Sequence, residues 1–305
     1  MHDESTFALL SLAELPRVGE QRLRALQEYA RRTQTPLAQL YGRLETALPA
    51  RLRLPAAALR RLGEDHSRHR ARCAALAQRL AEAGVSLCQP DDAAYPDGWR
   101  QRAEPPPIAT MYGNAALARR PSVALLHSRL VSDASVTATL RVTRAAAADG
   151  LAVVVGGMKT PHRIAAATAR ALNGGRLVVL DRGLLAAFGG DLQRDPFGLG
   201  PQHGRFDPFH TLVLSPFRPD DHAVPRSGRR RDALLAALGD LVVVISARPG
   251  GEVERCARAA LGRGQRVLVW EDASAALCRA GADRLDADQL DAGLRRWMPA
   301  PARTG

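Results

Sequence analysis

Four short segments of the sequence carry the residue types that hold phosphate groups in proteins. Arginine and lysine side chains bind phosphate by charge, and glycine-rich backbone at the start of a helix binds it through N–H groups. Each segment lies beside an apolar run that is typical of a buried strand, or in the helix leading into one. The candidate residues are Ser128, Arg129, Gly157, Lys159, Arg226, Arg229, Arg230, Arg231 and Gly250. Together they suggest binding of a polyanion through its phosphates.

Each of these segments also has a simpler structural explanation. Arg129 could be solvated on a surface loop, and the glycines before Lys159 match neither the Walker A nor the GxGxxG pattern. The turn at Gly250 is equally consistent with a tight strand-to-helix connection, where Glu252 would compete for the positive end of the helix. Charge runs such as residues 226–231 are usually solvated. This run, however, lies at the start of a predicted helix, next to the edge of the predicted sheet where a ligand is expected to bind.

The sequence contains no recognisable catalytic pattern. It has no GxSxG or HExxH motif, and His127, His162 and His222 have no partner that spacing alone can assign. The four cysteines are far apart and form no CxxC pair, which argues against structural zinc and suits a reducing compartment. We therefore predict a non-catalytic protein without a metal or a cofactor.

The net charge is the strongest global feature of the chain. It is +12 at pH 7, and all but one of the 43 basic residues are arginine. Such an excess attracts polyanions, of which nucleic acid is the commonest in the cytosol, although a GC-rich coding bias would give a similar composition. Only 4% of the residues are aromatic, so few rings are free to stack on bases. Contacts with nucleic acid are therefore expected to run mainly through phosphates.

Hydrophobic periodicity divides the chain into a helical part and an alternating part. Residues 1–90 carry apolar residues at three-to-four spacing, which predicts a small helical domain, and the Pro- and Gly-rich residues 91–121 predict a connecting segment. From 122 to 298, six apolar runs alternate with helical stretches, which predicts an α/β fold with a doubly wound parallel sheet. Ligands of such sheets bind outside the carboxyl ends of the strands, where most of the candidate residues fall.

Two further expectations concern the ends of the chain and its location. Residues 299–305 predict a disordered tail. No apolar run approaches the roughly 18 residues of a membrane span, and the acidic N-terminus lacks the pattern of a signal peptide. These features predict a cytoplasmic protein that does not contact a membrane.

Several motifs occur in the order found in one known family. LAELPRVGEQRLRAL looks like a helix-hairpin-helix (SAM-like) opening, and YPDGWRQRAEPPPIATMYGN is similar to a YP…PP…Y-x-GN segment. VALLHSR matches a VaiVGSR motif and keeps Ser128 and Arg129, while SGRRRDALLAALGDLVVVISA places Arg231 and Asp232 on an Arg-Asn pair. In these motifs the chain resembles the DprA/Smf family of DNA-processing proteins. The resemblance implies a Rossmann-like domain after the helical domain, and it does not extend to the winged helix that some members carry.

The chain departs from the motifs of that family at several positions. His127 stands in place of the glycine of GSR, Pro216 in place of the glutamate of a Ser-Glu pair, and Ala233 in place of a second arginine. The turn GSL.TA of the family is GGEVERCA here, and Trp270-Glu271 replace a Pro-Gly pair. The fold therefore carries over more securely than the function.

The resemblance implies a non-catalytic protein that binds single-stranded DNA, forms a homodimer through the Rossmann-like domain and delivers the strand to a recombinase. The altered motifs leave open a second role, as the partner of a cognate toxin in a toxin–antitoxin or phage-defence system. A third alternative is a nucleotide hydrolase of the LOG type, whose PGGxGTxxE motif is only partly present. Here PGG is followed by Glu252, Val253 and Glu254, and Ala257 stands at the position of the motif's glutamate.

Overall fold

The computed structural model describes residues 4–42, 49, 52–128, 131–157, 159–197 and 204–299. The predicted site residue Arg129 and most of the predicted tail, residues 300–305, lie outside these ranges. Among the described helices, none is both long and apolar enough to cross a membrane.

A nine-stranded sheet forms the centre of the molecule. Its strands are β1 (Val85–Cys88), β2 (Ala109–Gly113), β3 (Ser122–His127), β4 (Ala152–Gly156), β5 (Arg176–Val179), β6 (Thr211–Ser215), β7 (Leu241–Ser246), β8 (Arg266–Trp270) and β9 (Asp283–Leu285). The strand order is β1-β2-β6-β5-β4-β3-β7-β8-β9. The six strands predicted from apolar runs are β3 to β8, and all six are present.

The sheet is mixed rather than purely parallel. β3 to β9 pair in parallel, whereas β2 pairs antiparallel with both β6 and β1. The predicted Rossmann-like, doubly wound α/β fold is confirmed, and antiparallel pairing is confined to one edge of the sheet. There β2 comes from the segment predicted to be a connector, and β1 comes from the part predicted to be helical. From β3 the chain proceeds to β6 in one direction and then returns to β7 on the other side of β3, so β3 and β7 flank the topological switch point.

Helices cover both faces of the sheet. The helices are α1 (Glu4–Ala13), α2 (Glu20–Arg32), α3 (Leu37–Gly42), α4 (Ala56–Glu64), α5 (His66–Glu82), α6 (Asp97–Arg100), α7 (Asp133–Ala148), α8 (Thr160–Ala171), α9 (Leu184–Phe188), α10 (Ser227–Leu238), α11 (Glu252–Gly262), α12 (Ala275–Arg279) and α13 (Ala287–Asp291). Alternate residues of β3 enter opposite layers: Val123 and Leu125 pack with α7 and α8, and Ala124 and Leu126 pack with α10 and α11. Because both faces are buried, the central strands read as continuous apolar runs.

The N-terminal helices share one hydrophobic core with a face of the sheet. Leu9, Leu26 and Leu80 of α1, α2 and α5 belong to the same cluster as Val153 and Val178 of the sheet. The predicted N-terminal helical region is therefore present, and it packs continuously against the Rossmann-like part. The exact domain boundaries stay a prediction.

The segment between β1 and β2 docks against α10, the helix that carries the basic run. Trp99 is fully buried, and its indole N–H donates to the carbonyl of Leu234 at 3.0 Å. Beside it, a Cβ on Gly98 would lie 2.1 Å from the carbonyl oxygen of Ala237, so only glycine fits this approach. This docking fixes α10, and with it the arginines at its N-terminal end.

Candidate nucleic-acid interface

A cleft of about 430 Å³ opens at the switch point, beyond the carboxyl ends of β3, β4 and β7. Loops after these three strands and the first turns of α10 and α11 form its walls. Four of the nine predicted site residues line it, namely Ser128, Lys159, Arg229 and Gly250. It also contains two arginines that the sequence prediction did not select, Arg248 and Arg255.

The cationic side chains of the cleft are only partly balanced by its carboxylates. The Lys159 ammonium lies 3.4 Å from Oδ2 of Asp232, and Arg229 Nε lies 3.8 Å from Oε2 of Glu252, which also accepts from Arg255 at 2.6 Å. The cleft therefore keeps an excess of positive charge, because two carboxylates, Asp232 and Glu252, face four cationic side chains. These are Lys159, Arg229, Arg248 and Arg255. The long pairing distance of Arg229 leaves its guanidinium able to bind an incoming phosphate.

The glycine turn at Gly250 already holds an anion supplied by the chain itself. The backbone N–H of Gly250 donates to Oε2 of Glu254 at 2.8 Å, and Arg258 donates to Oε1 of the same carboxylate at 2.7 Å. These hydrogen bonds, Arg258's first, hold the pKa of Glu254 below its ordinary value. Gly250 adopts a φ of +66°, so glycine is required here for the turn. Gly250 therefore shapes the rim of the cleft, while its N–H group is occupied.

Arg231 faces the interior, unlike the rest of the predicted basic run. Only 1% of the residue is exposed, and its guanidinium pairs with the carboxylates of Asp232 and Asp181. A Cβ on Gly156 would come within 2.9 Å of Arg231 Cδ, so the glycine at the end of β4 makes room for this side chain. Arg231 thus ties α10 to the loops after β4 and β5, and it does not line the cleft.

Arg230 connects α10 to the N-terminal helices. Its guanidinium carbon lies 4.8 Å above the ring of Phe217, it donates to the carbonyl of Pro216 at 3.1 Å, and it forms an ion pair with Glu20. Burial lowers the pKa of Arg230 to about 10. Among the four arginines of the predicted run 226–231, Arg229 alone lines the cleft, and Arg226 is exposed at the start of α10.

Gly157 is explained by packing. A Cβ there would lie 2.9 Å from Cε1 of Phe197 and 3.1 Å from Cδ2 of Leu180, so the residue is kept small by its neighbours in the core. Ser128 is fixed through its backbone, whose N–H donates to the carbonyl of Ser246 at 2.9 Å across the switch point. Ser128 thus lines the cleft with a fixed backbone, whereas Gly157 packs in the core and does not line it.

Two histidines are buried beneath the cleft. The rings of His127 and His162 meet edge to face with centroids 5.1 Å apart. Within the described residues, neither nitrogen of His127 has a hydrogen-bond partner, and Nδ1 of His162 has none. Burial, reinforced by the Lys159 charge, lowers the pKa of His127 to about 3. Burial, together with His127, Arg231 and Lys159, holds the pKa of His162 well below its ordinary value. Both rings are neutral at physiological pH.

These buried imidazoles predict that acid destabilises the protein. A histidine whose pKa is lowered in the folded state does not affect the free energy of unfolding at pH values above its unfolded-state pKa of about 6.5. At lower pH, each pH unit lowers the free energy of unfolding by about 1.4 kcal/mol until the folded-state pKa is reached. For His127 alone the free energy of unfolding should fall by about 2 kcal/mol between pH 8 and pH 5, with His162 adding to the loss. Urea unfolding at the two pH values measures this difference.

A leucine at position 127 should reduce that pH dependence without a large cost at pH 8, because no described hydrogen bond is lost. The control is His222→Leu, since His222 is exposed, and it should leave the pH dependence unchanged. Equal stability of the parent chain at pH 8 and pH 5 would contradict the burial of neutral rings.

The fold defines a Rossmann-like protein, and the cleft at its switch-point edge carries an excess of positive charge. The family model for DNA recombination-mediator protein A matches residues 86–294, and the chain belongs to this family. The resemblance to DprA/Smf proteins stated from the sequence is thereby confirmed. A search of curated proteins gave no match.

Two DNA processing proteins are among the solved structures that resemble this one. DNA processing protein A from Streptococcus pneumoniae is 18% identical with a TM-score of 0.66, over 95% of this chain and 96% of that one. The match includes the N-terminal helices, and it supports the fold. DNA processing protein A from Helicobacter pylori, in a structure that concerns its single-stranded DNA binding mode, is 21% identical with a TM-score of 0.47, over 61% of this chain and 80% of that one.

Proposed function

We propose that this chain binds single-stranded DNA in the switch-point cleft and performs no chemistry on it. The observation that carries the proposal is the convergence of Lys159, Arg229, Arg248 and Arg255 at the carboxyl edge of the sheet. Membership of the DNA recombination-mediator family supports a nucleic-acid ligand. A flexible single strand can follow a cleft made of loops, whereas a stiff duplex touches it over a shorter length.

The proposal predicts a steep dependence of binding on salt. The slope of log K against log salt for single strands is about −0.7 per phosphate neutralised, so four cationic contacts give about −2.8. Raising salt from about 50 to 200 mM should then weaken binding about fiftyfold. Base identity should matter little at this site, because phosphates carry no sequence information.

Fluorescence anisotropy with labelled homopolymer strands at several salt concentrations tests this prediction. A shallow slope with a strong preference for one base would contradict phosphate binding at the cleft. Tighter binding of duplex than of single strands would contradict the choice of ligand.

The second part of the proposal is the absence of catalysis. The carboxylate of Glu254, the most suggestive acid beside the glycine turn, is held by Gly250 and Arg258. A general base must instead reach a proton of the substrate. Incubation with nucleoside monophosphates, or with DNA and magnesium, should release no base and cut no strand. Turnover that disappears in Glu254→Gln would overturn this expectation and favour a nucleotide hydrolase.

The proposal also includes the proteins with which this chain would interact. We infer that the chain acts in the cytoplasm, self-associates through the Rossmann-like part and hands its bound strand to a recombinase. Mass measurement in solution tests the homodimer, and recombinase filament formation on strands coated with this protein tests the delivery. The alternative of a toxin's partner draws no support from the comparisons.

A further inference from the structure

A second basic cleft lies at the opposite, amino-terminal edge of the sheet. It has a volume of about 980 Å³ and borders the starts of β3, β7 and β8. Arginines from three separate segments of the chain line it: before β3, between the end of α11 and the start of β8, and in the 3-10 turn at residues 295–297. They are Arg119, Arg120, Arg263, Arg266 and Arg296. Such convergence of distant segments makes this a formed concave surface.

Most of these guanidinium groups are oriented by neutral acceptors, so their charge is not cancelled. The pairs are Arg119 with the carbonyl of Ala93 at 3.1 Å, Arg120 with that of Gly150 at 3.0 Å, Arg263 with Oε1 of Gln265 at 3.0 Å, and Arg296 with the carbonyl of Gln289 at 2.6 Å. Arg266 differs, because it pairs with Asp283 at 2.7 Å. Four positive charges are therefore held in place by groups without a net charge.

Two other features of the cleft carry negative charge. Asp97 pairs with Arg100, and Asp240 accepts hydrogen bonds from the N–H and hydroxyl of Ser122. The C-terminal ends of α10, α11 and α12 also point here, each equivalent to about half a negative charge that acts within the last turn. None of the four neutral acceptors lies in these three helices, so the arginines do not serve as their caps. The cleft keeps a positive excess.

Trp297 supplies an aromatic surface among these charges. The guanidinium carbons of Arg296 and Arg266 lie 5.2 Å and 5.8 Å from its ring centroid. Its ring is partly exposed, and its buried indole N–H has no partner among the described residues. By contrast, Trp99 and Trp270 are only 0% and 7% exposed. An accessible indole flanked by arginines is the arrangement on which a nucleic-acid base stacks.

We propose that this amino-edge cleft is a second binding site for single-stranded nucleic acid, in which a base stacks on Trp297 and phosphates contact Arg263 and Arg296. The inference extends the proposed function, since one long strand could occupy both edges of the sheet. A single strand is favoured over duplex because duplex bases are already stacked inside the helix and do not offer their faces to an indole. The two sites differ in kind, because the switch-point cleft binds phosphates and this cleft adds a stacked base.

Intrinsic fluorescence of the full-length protein tests the stacking directly. Saturation with an oligothymidylate of about 30 nucleotides should quench tryptophan emission, and the quench should disappear in Trp297→Phe if the signal comes from this ring. Trp297→Leu should weaken binding about tenfold, the size expected for loss of one stacked base. Arg263→Glu with Arg296→Glu should weaken binding to a similar extent and remove the quench. Thermal melts confirm that each variant is folded.

Two further variants separate this inference from the proposed function. Arg229→Glu with Arg248→Glu alters only the switch-point cleft, and at saturating strand it should retain the Trp297 quench. Arg60→Glu with Arg68→Glu, on the exposed surface of α4 and α5, makes the same change in net charge and should leave both readouts unchanged. If strand binding leaves the tryptophan emission of the parent protein unchanged and the amino-edge variants bind with the affinity of the parent, the second site is overturned and the first is left intact. Equal quenching by duplex and single strand would overturn the choice of ligand.

Discussion

A variant that carries Arg229→Glu and Arg248→Glu is expected to bind single-stranded DNA about a hundredfold more weakly than the parent chain. A hydrogen bond to a charged group contributes about 1.5–3 kcal/mol, so loss of two phosphate contacts accounts for this factor before any repulsion is added. Both residues are exposed, and among the described residues the contact that Arg229 would lose is its long one with Glu252. Anisotropy titrations at low salt measure the effect, and melting curves should match those of the parent.

Two comparison variants make this experiment specific to the cleft. The exposed pair Arg60→Glu and Arg68→Glu should weaken binding far less, although the net charge changes equally. Glu252→Gln should have the opposite sign and strengthen binding several-fold, because it releases Arg229 and Arg255 from their shared carboxylate. If the α4 and α5 control lost as much affinity as the cleft variant, net charge rather than this cleft would govern binding.

Asp195→Ala is expected to lower the free energy of unfolding by about 3–5 kcal/mol, the largest effect on stability that we predict. Asp195 and Arg176 are both fully buried, and their ion pair measures 2.5 Å. Arg176 also donates from Nε to the hydroxyl of Thr211 at 2.7 Å, and Arg170 contacts the same carboxylate at 2.9 Å. Removal of Asp195 leaves the charge of Arg176 buried without its counter-ion. Since domains are stable by about 5–15 kcal/mol, such a loss is readily measured by urea unfolding.

Asp191→Ala is the matched control in the same segment. Asp191 is exposed and its carboxylate accepts a hydrogen bond from the backbone N–H of Gln193, so loss of this side chain should cost about 1 kcal/mol or less. A loss for Asp195→Ala no larger than this would show that Arg176 finds another partner or water.

The central strands could be predicted from sequence because they are buried on both faces. β3 to β8 stand out as apolar runs, and helices between them imply parallel pairing. β9 has only three residues, β1 has one exposed position among four, and β2 follows a Pro-rich stretch typical of a linker. Edge strands have fewer neighbours to bury their side chains, so their patterns are short and weak.

The separate positions of Arg229, Arg230 and Arg231 were not predicted, although the sequence contains a signal. Arg231 lies three, four and seven residues before Leu234, Leu235 and Leu238, which places it on the buried stripe of α10. The identity of its partner could not be read in advance, because Asp181 comes from a distant loop. Arg255 follows the glycine turn by one helical turn, so its place in the cleft was accessible to the same reasoning.

The carboxylate of Glu254, which accepts from the glycine turn, affects whether the cleft prefers mononucleotides or polynucleotides. Free mononucleotides are abundant in any cell and compete with DNA for phosphate-binding sites. Each of them depends on one strong binding site for its phosphate group. Here Glu254 already occupies the N–H of Gly250, so the turn that leads into α11 offers a small ligand one backbone donor fewer than Rossmann-like folds commonly do. A polymer gains instead from avidity, because each contact that forms raises the effective concentration of its next phosphate at the remaining arginines. The internal anion would thus act as a filter that favours chains of nucleotides over single ones.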